Sequence, residues 1–230
     1  MNKGMLFGVG VGPGDPELLT LKAVEALRRA DVIAAPDKGA GEQTALAIVR
    51  DYIQGKERVD CHTPMTRDPE RLEESYRSNA DLLCGLLDQG KTVAFLTLGD
   101  PSVYSTYIYI HKKVLERGYE ARLIPGVPSF CAVAARLNTS LCEGGERLLV
   151  VPASYEGLEE CLDVRANKVL MKAGRTLGAL KDTLRRRGEL DRAALVANCG
   201  MEGETVVPDL SQWEGETGYF SIVVVKDQQA

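Results

Sequence analysis

Four short turns carry the residues best able to do chemistry. The first is Gly10-Val11-Gly12-Pro13-Gly14-Asp15-Pro16-Glu17-Leu18-Leu19-Thr20, directly after the apolar run Met5 to Val9. Closely spaced glycines after a strand let another group approach the backbone. The dinucleotide fingerprint Gly-x-Gly-x-x-Gly fails here in both registers: from Gly8 the third position is Pro13, and from Gly10 it is Asp15. The turn also lacks the Gly-Lys-Ser/Thr ending of a P-loop. On spacing alone a tight strand-to-helix turn without a ligand competes with a binding site. The second turn, Thr97-Leu98-Gly99-Asp100-Pro101, again follows an apolar strand. Ligands of open parallel sheets bind beyond the carboxyl ends of the strands. The two turns Gly14-Asp15-Pro16 and Gly99-Asp100-Pro101 therefore share one sheet edge and together predict a small-molecule pocket. The third, Pro125-Gly126-Val127-Pro128-Ser129-Phe130, is either a linker or part of a ligand site at a domain interface. The fourth, Leu170-Met171-Lys172-Ala173-Gly174, reads as a core strand and turn in which Lys172 could reach an anionic ligand.

Metal chemistry is not expected. The six cysteines, Cys61, Cys84, Cys131, Cys142, Cys161 and Cys199, form no C-x-x-C pair, which argues against structural zinc. They read as small buried apolar groups. Two histidines, His62 and His111, are too few for a His-rich site, and Cys61-His62 reads as a loop or strand-end pair.

The elements that position these turns alternate between two periodicities. Strand-like runs are Met5 to Val9, Val32 to Ala35, Thr92 to Thr97 and Ala121 to Ile124. Helical patterns are Thr20 to Ala30, Glu42 to Ile53, Asp68-Pro69 to Gly90, and Tyr104 to Arg117. Thr20 is a plausible N-cap, with Asp15 before Pro16 competing. This alternation predicts a mainly parallel sheet. Two prolines and a glycine at 125–128 make a stiff connection, so the expected domains are 1–125 and 126–230. The second half is expected to be mixed α/β. Its helices are Ser129 to Leu137 and Thr176 to Arg187; its strands are Arg147 to Val151, Lys168 to Lys172, Ala194 to Ala197 and Phe220 to Val225.

Bulk properties narrow the partners. The chain has 230 residues, 44% of them hydrophobic, and a net charge of -5. No long basic run offsets that charge, so nucleic acid is not an expected partner. The cluster Arg185-Arg186-Arg187 suits a helix C-terminus instead. No apolar run approaches the roughly 20 residues that span a bilayer. Glycines interrupt the apolar start, unlike a signal peptide. A cytoplasmic protein is expected.

The order Gly-x-Gly-Pro-Gly-Asp-x-x-Leu-Leu-Thr, then Gly-Asp-Pro after a later strand, then Pro-Gly-Val-Pro-Ser, resembles the tetrapyrrole (corrin/porphyrin) methylase family. The resemblance runs from about Leu6 to Val225. Pro64-Met65, Tyr104-Ser105-Thr106 and Cys199-Gly200-Met201 resemble the branch that methylates carbon-20 of precorrin-2 or cobalt-factor II in cobalamin biosynthesis. The resemblance implies two α/β domains with a ligand cleft between them, and a homodimer. It implies S-adenosylmethionine as methyl donor, folded up in that cleft, and a reduced tetrapyrrole substrate as acceptor. By position, cofactor contacts are implied for Pro13, Leu98, Gly99, Asp100, Val103, Ser129, Phe130 and Met171. One departure is Asn198, where a basic side chain is expected before Cys199-Gly200-Met201.

Methyl transfer from a sulfonium needs alignment in a dry site more than acid catalysis. A base must then take one proton from the methylated carbon; Asp100, Tyr104 and His111 are candidates. Lys38, Arg67, Arg136, Lys172 and Arg175 lie in or near loops where they could meet the carboxylates of the macrocycle. Tyr107-Ile108-Tyr109-Ile110-His111 favours a cobalt-containing acceptor, with His111 expected on a helix surface rather than at the metal. Alternatives are another tetrapyrrole methylase, such as a uroporphyrinogen-III C-methyltransferase or a diphthamide-precursor enzyme, and a non-catalytic cofactor-binding homologue. The first glycine turn is expected to shape the space between cofactor and macrocycle, the later turns to hold the cofactor.

Overall fold

The computed structural model describes residues 3–37, 44–154 and 157–227. The chain folds as two compact units, Met1–Pro128 and Ser129–Ala230.

The first unit contains β1 (Met5–Gly10), α1 (Leu21–Arg29), β2 (Val32–Asp37), α2 (Thr44–Val49), β3 (Glu57–His62), α3 (Pro69–Asp88), β4 (Val93–Thr97), α4 (Tyr107–Glu116) and β5 (Glu120–Ile124). Its five strands form an all-parallel sheet in the order β3-β2-β4-β1-β5. Both faces are covered, and the alternation of side chains divides them. Phe7, Val9, Ile33, Ala35, Ala94 and Leu96 face α1 and α2. Leu6, Val32, Ala34, Val93 and Phe95 face α3 and α4. Two caps reconcile the competing expectations at the first turn. Asp15 accepts from Glu17 N–H at 2.8 Å and opens a short 3₁₀ turn, while Thr20 accepts from Ala23 N–H at 3.1 Å and opens α1. Asp68 caps α3 as expected.

The second unit contains α5 (Ser129–Arg136), β6 (Leu148–Pro152), α6 (Leu158–Asp163), β7 (Asn167–Met171), α7 (Leu177–Arg186), β8 (Ala193–Ala197), β9 (Thr205–Val207) and β10 (Ser221–Val225). Its sheet is mixed, in the order β6-β7-β10-β8-β9. β6 and β7 are parallel, and β10 runs antiparallel to β7 and β8. The core beneath α6 and α7 holds Leu162, Leu170, Leu177, Leu180, Leu184, Leu195 and Val223. The arginine cluster does end a helix: Arg187 is the C-cap of α7.

Several expectations are corrected. β3 lacks an apolar pattern because it is an edge strand that pairs only with β2, and just one of its six residues, Cys61, is buried. The helix predicted from Glu42 is regular only over Thr44–Val49 and passes into a 3₁₀ turn, Arg50–Tyr52; Glu42 itself lies outside the described residues. α4 begins at Tyr107 rather than Tyr104, because Tyr104 takes a left-handed backbone (φ 47°) that no helix accepts. α6 and β9 were not foreseen. The cysteines divide: Cys61, Cys84 and Cys199 are buried, Cys161 is half-buried, and Cys131 and Cys142 are exposed, since their positions face outward. Burial pushes the Cys61 thiol up to about 12, so it stays protonated and unreactive.

Candidate functional site

In the first unit the two Gly-Asp-Pro turns stand on one sheet edge, since β1 and β4 are parallel neighbours. The turns also bond to one another. Gly12 and Gly99 exchange N–H···O bonds of 3.3 and 2.8 Å, and Val11 N–H reaches Thr97 carbonyl at 2.9 Å. Gly126, beyond β5, completes the frame. A Cβ on Gly126 would lie 2.2 Å from the Gly99 oxygen and 2.7 Å from the Gly10 carbonyl carbon. A Cβ on Gly10 would lie 2.5 Å from Gly126 nitrogen. Gly10 and Gly126 thus lie in backbones packed too closely for any side chain, and Gly99 takes a left-handed backbone (φ 69°), which is the physical need for glycine at all three.

Asp100 ties this frame. Its Oδ2 accepts from Gly126 N–H at 3.0 Å; its Oδ1 accepts from Ser102 N–H at 2.8 Å and from the Ser102 hydroxyl at 2.5 Å. Asp100 thus latches the Pro125-Gly126 connection to the β4 turn, and Thr20 adds a hydroxyl bond to Pro125 carbonyl at 3.3 Å. The candidates Pro13, Leu98, Gly99, Asp100 and Val103 are brought together on this edge. Pro13 and Gly99 are buried, and Leu98, Asp100 and Val103 are half-buried. They present backbone more than side chain. Ser105, which the sequence marked only as part of the Tyr104-Ser105-Thr106 motif, anchors the end of the turn: its Oγ lies 2.8 Å from Thr97 Oγ1 and accepts from Tyr107 N–H at 3.2 Å.

The three base candidates separate. Asp100 already serves three donors. Tyr104 is 49% exposed on the same edge, in its left-handed conformation. His111 is buried at 7% exposure, which corrects the expected helix-surface position. It sits one helical turn below Tyr107, with Nδ1 3.0 Å from the Tyr107 hydroxyl, because α4 turns this face to the sheet. Burial lowers the His111 pKa and raises that of Tyr107, so both are neutral. The Tyr107 ring in turn fills the space over Gly8, where a Cβ would lie 1.9 Å from its Cε1, and packs 4.7 Å from Phe95.

In the second unit Ser129 and Phe130 open α5, both half-buried, and Met171 ends β7. Lys172, next in the chain, takes a left-handed backbone (φ 58°), and its Nζ lies 5.9 Å from the Tyr219 ring centre. Asn198 follows β8, also left-handed (φ 50°), and its amide donates to Gly203 carbonyl at 3.3 Å. Asparagine is enriched in this conformation. Of the basic candidates, Arg136 pairs with Glu204, Arg67 and Arg175 are exposed in loops, and Lys38 lies outside the described residues. Glu204, which sequence reasoning did not single out, accepts from both Gly200 N–H and Arg136. Among the described residues no three His, Cys, Asp or Glu side chains group as metal ligands, and no helix is long and apolar enough to cross a membrane.

The family model of tetrapyrrole (corrin/porphyrin) methylases matches residues 5–212. A probable cobalt-precorrin-2 C(20)-methyltransferase of Methanocaldococcus jannaschii is 36% identical over 96% of this chain and 95% of its own length. A precorrin-2 C(20)-methyltransferase of a Sinorhizobium species is 31% identical over 96% of this chain and 95% of its own. Among solved structures, a Thermus thermophilus uroporphyrin-III-C-methyltransferase superposes with a TM-score of 0.67 at 25% identity, covering 97% of this chain and 92% of that one. With the glycine frame intact and the match spanning both units, the chain belongs to the tetrapyrrole methylases.

Proposed function

We propose that this protein transfers a methyl group from S-adenosylmethionine to carbon-20 of a reduced tetrapyrrole, precorrin-2 or its cobalt form, in cobalamin biosynthesis. The observation that carries the reading is the near full-length similarity to two proteins named as C(20)-methyltransferases. The sulfonium supplies the methyl group and leaves as a neutral thioether.

The chain's part is alignment. In the first unit, Pro13, Leu98, Gly99, Asp100 and Val103 are proposed to receive the cofactor. Support comes from the close-packed backbone frame of Gly10, Gly99 and Gly126 and from the Asp100 latch that keeps it still. Ser129, Phe130 and Met171 are proposed to contribute from the second unit. Of the three base candidates, Tyr104 has its side chain exposed on the sheet edge, where it can meet the macrocycle, whereas His111 is buried against Tyr107. The cobalt form is favoured because the more similar of the two relatives carries that name. Two copies are expected to associate, as light scattering would show by twice the chain mass.

The test is incubation of purified protein with isotope-labelled S-adenosylmethionine and, separately, cobalt-factor II, precorrin-2 and uroporphyrinogen III. Label at carbon-20 of either of the first two, with cobalt-factor II the faster, is expected. Transfer to uroporphyrinogen III alone would move the chain to another branch. Cofactor binding without transfer to any acceptor would make it a non-catalytic homologue.

A further inference from the structure

The turn after β8 is built from left-handed residues: Asn198 (φ 50°), Gly200 (φ 72°) and Gly203 (φ 75°). It closes on itself through Met201 N–H to Asn198 carbonyl (2.9 Å) and Glu204 N–H to Met201 carbonyl (3.2 Å). The Gly200 N–H goes instead to a side chain, Glu204 Oε2, at 2.8 Å. The other oxygen of the same carboxylate meets Arg136 Nε at 2.5 Å. The Glu204 side chain is sheltered, at 16% exposure, and Arg136 is open at 59%. The Gly200 N–H, with Arg136 beside it, holds the Glu204 carboxyl below the usual carboxylate range.

One carboxylate therefore joins two elements distant in sequence. Arg136 is the last residue of α5, a helix of eight residues whose first two are Ser129 and Phe130. Gly200 lies in the turn at the carboxyl end of β8. An open ion pair contributes little stability, and Glu204 neutralises the guanidinium that would otherwise attract an anion. What the arrangement does control is placement, because so short a helix is set by how its far end is held.

We propose that Glu204 is a positioning residue for the methyl donor, holding the Cys199-Gly200 turn and α5 together so that Ser129 and Phe130 stand ready for the cofactor. This rests on the cofactor reading given above and adds a residue outside that set. Glu204 touches no reacting atom, so its loss acts on cofactor affinity and not on the chemical step.

The experiment compares S-adenosylhomocysteine binding by calorimetry, and steady-state kinetics, for wild type, Glu204→Ala, Glu204→Gln and Arg136→Lys. Loss of both charge-assisted bonds in Glu204→Ala should weaken binding about tenfold. KM for S-adenosylmethionine should rise in step, with kcat and KM for the tetrapyrrole within about threefold of wild type. Arg136→Lys keeps the ion pair and should bind like wild type. Glu204→Gln keeps an acceptor for Gly200 but faces Arg136 with an amide, and should fall between. If Glu204→Ala does not fold, Glu204→Gln carries the test, and wild-type affinity in that variant overturns the proposal. Equal rises in both KM values, or a fall in kcat alone, also overturn it. Wild-type protein that binds no S-adenosylhomocysteine removes the cofactor reading itself, a result separable from the others.

Discussion

Asp100→Asn tests whether the central aspartate is a latch or a reacting group. The substitution keeps size and shape while replacing one acceptor by an NH2 donor. If the asparagine carbonyl keeps the Ser102 bonds (2.8 and 2.5 Å), its NH2 faces the Gly126 N–H across 3.0 Å, donor against donor. A hydrogen bond to a charged group contributes about 1.5–3 kcal/mol net, so a loss of about 2 kcal/mol is expected at this half-buried position. For a chain of this length that is a melting shift of roughly 4–8 °C. Ser102→Ala, which removes one hydroxyl donor and leaves Gly126 latched, should cost about 1 kcal/mol. Thermal unfolding and S-adenosylhomocysteine calorimetry read both effects. Released from its latch, the Pro125-Gly126 connection should bind cofactor more weakly in Asp100→Asn, in step with the stability loss. Unchanged melting and cofactor affinity combined with abolished methyl transfer would refute the latch and make Asp100 the base.

Two further expectations follow from packing and from burial. Gly126→Ala puts a methyl group 2.2 Å from the Gly99 oxygen, against backbone on every side, and should cost about 3 kcal/mol or more; Gly85→Ala, in mid-α3 with nothing within 4 Å, should stabilise by roughly 0.5–1 kcal/mol. Equal denaturant midpoints for the two variants would refute the crowding argument. His111 is held neutral by burial, so its folded pKa lies below the unfolded value of about 6.5. Its contribution to stability is complete above that pH and is lost as pH falls below it, because the unfolded chain takes up the proton first. His111→Gln should flatten the stability-pH curve below about pH 6.5, by at most about 1.4 kcal/mol per pH unit; an unchanged slope measured by urea unfolding would show that other groups set it.

Much of the first sheet was legible because its three inner strands carry their own signals as short apolar runs, and the edge strand β5 alternates Ala121 and Leu123 with exposed charges before Ile124. Asp68-Pro69 and Thr20 announced helix starts through bonds made within three residues, which local sequence encodes completely. β3 and β9 were illegible because β3 is polar at most of its positions and β9 has only three residues, so their neighbours' hydrogen bonds define them and not their own pattern. The motif residues were legible, but their roles were not. Gly10, Gly99 and Gly126 are separated by long stretches of chain, and only parallel pairing of β1, β4 and β5 brings them together, so that Gly10 and Gly126 crowd each other and the Gly99 carbonyl. Asp100 reads as a ligand contact in the sequence, and only the fold shows that it also accepts from Gly126 N–H. His111 read as a surface residue because one position in a helix does not reveal which face the sheet covers. Glu204 had no motif at all, since its two partners, Gly200 and Arg136, meet it only through the fold. Bonds within a turn or a cap span a few residues and are written into sequence; the closeness of three strand ends is set by sheet order, which tertiary packing decides.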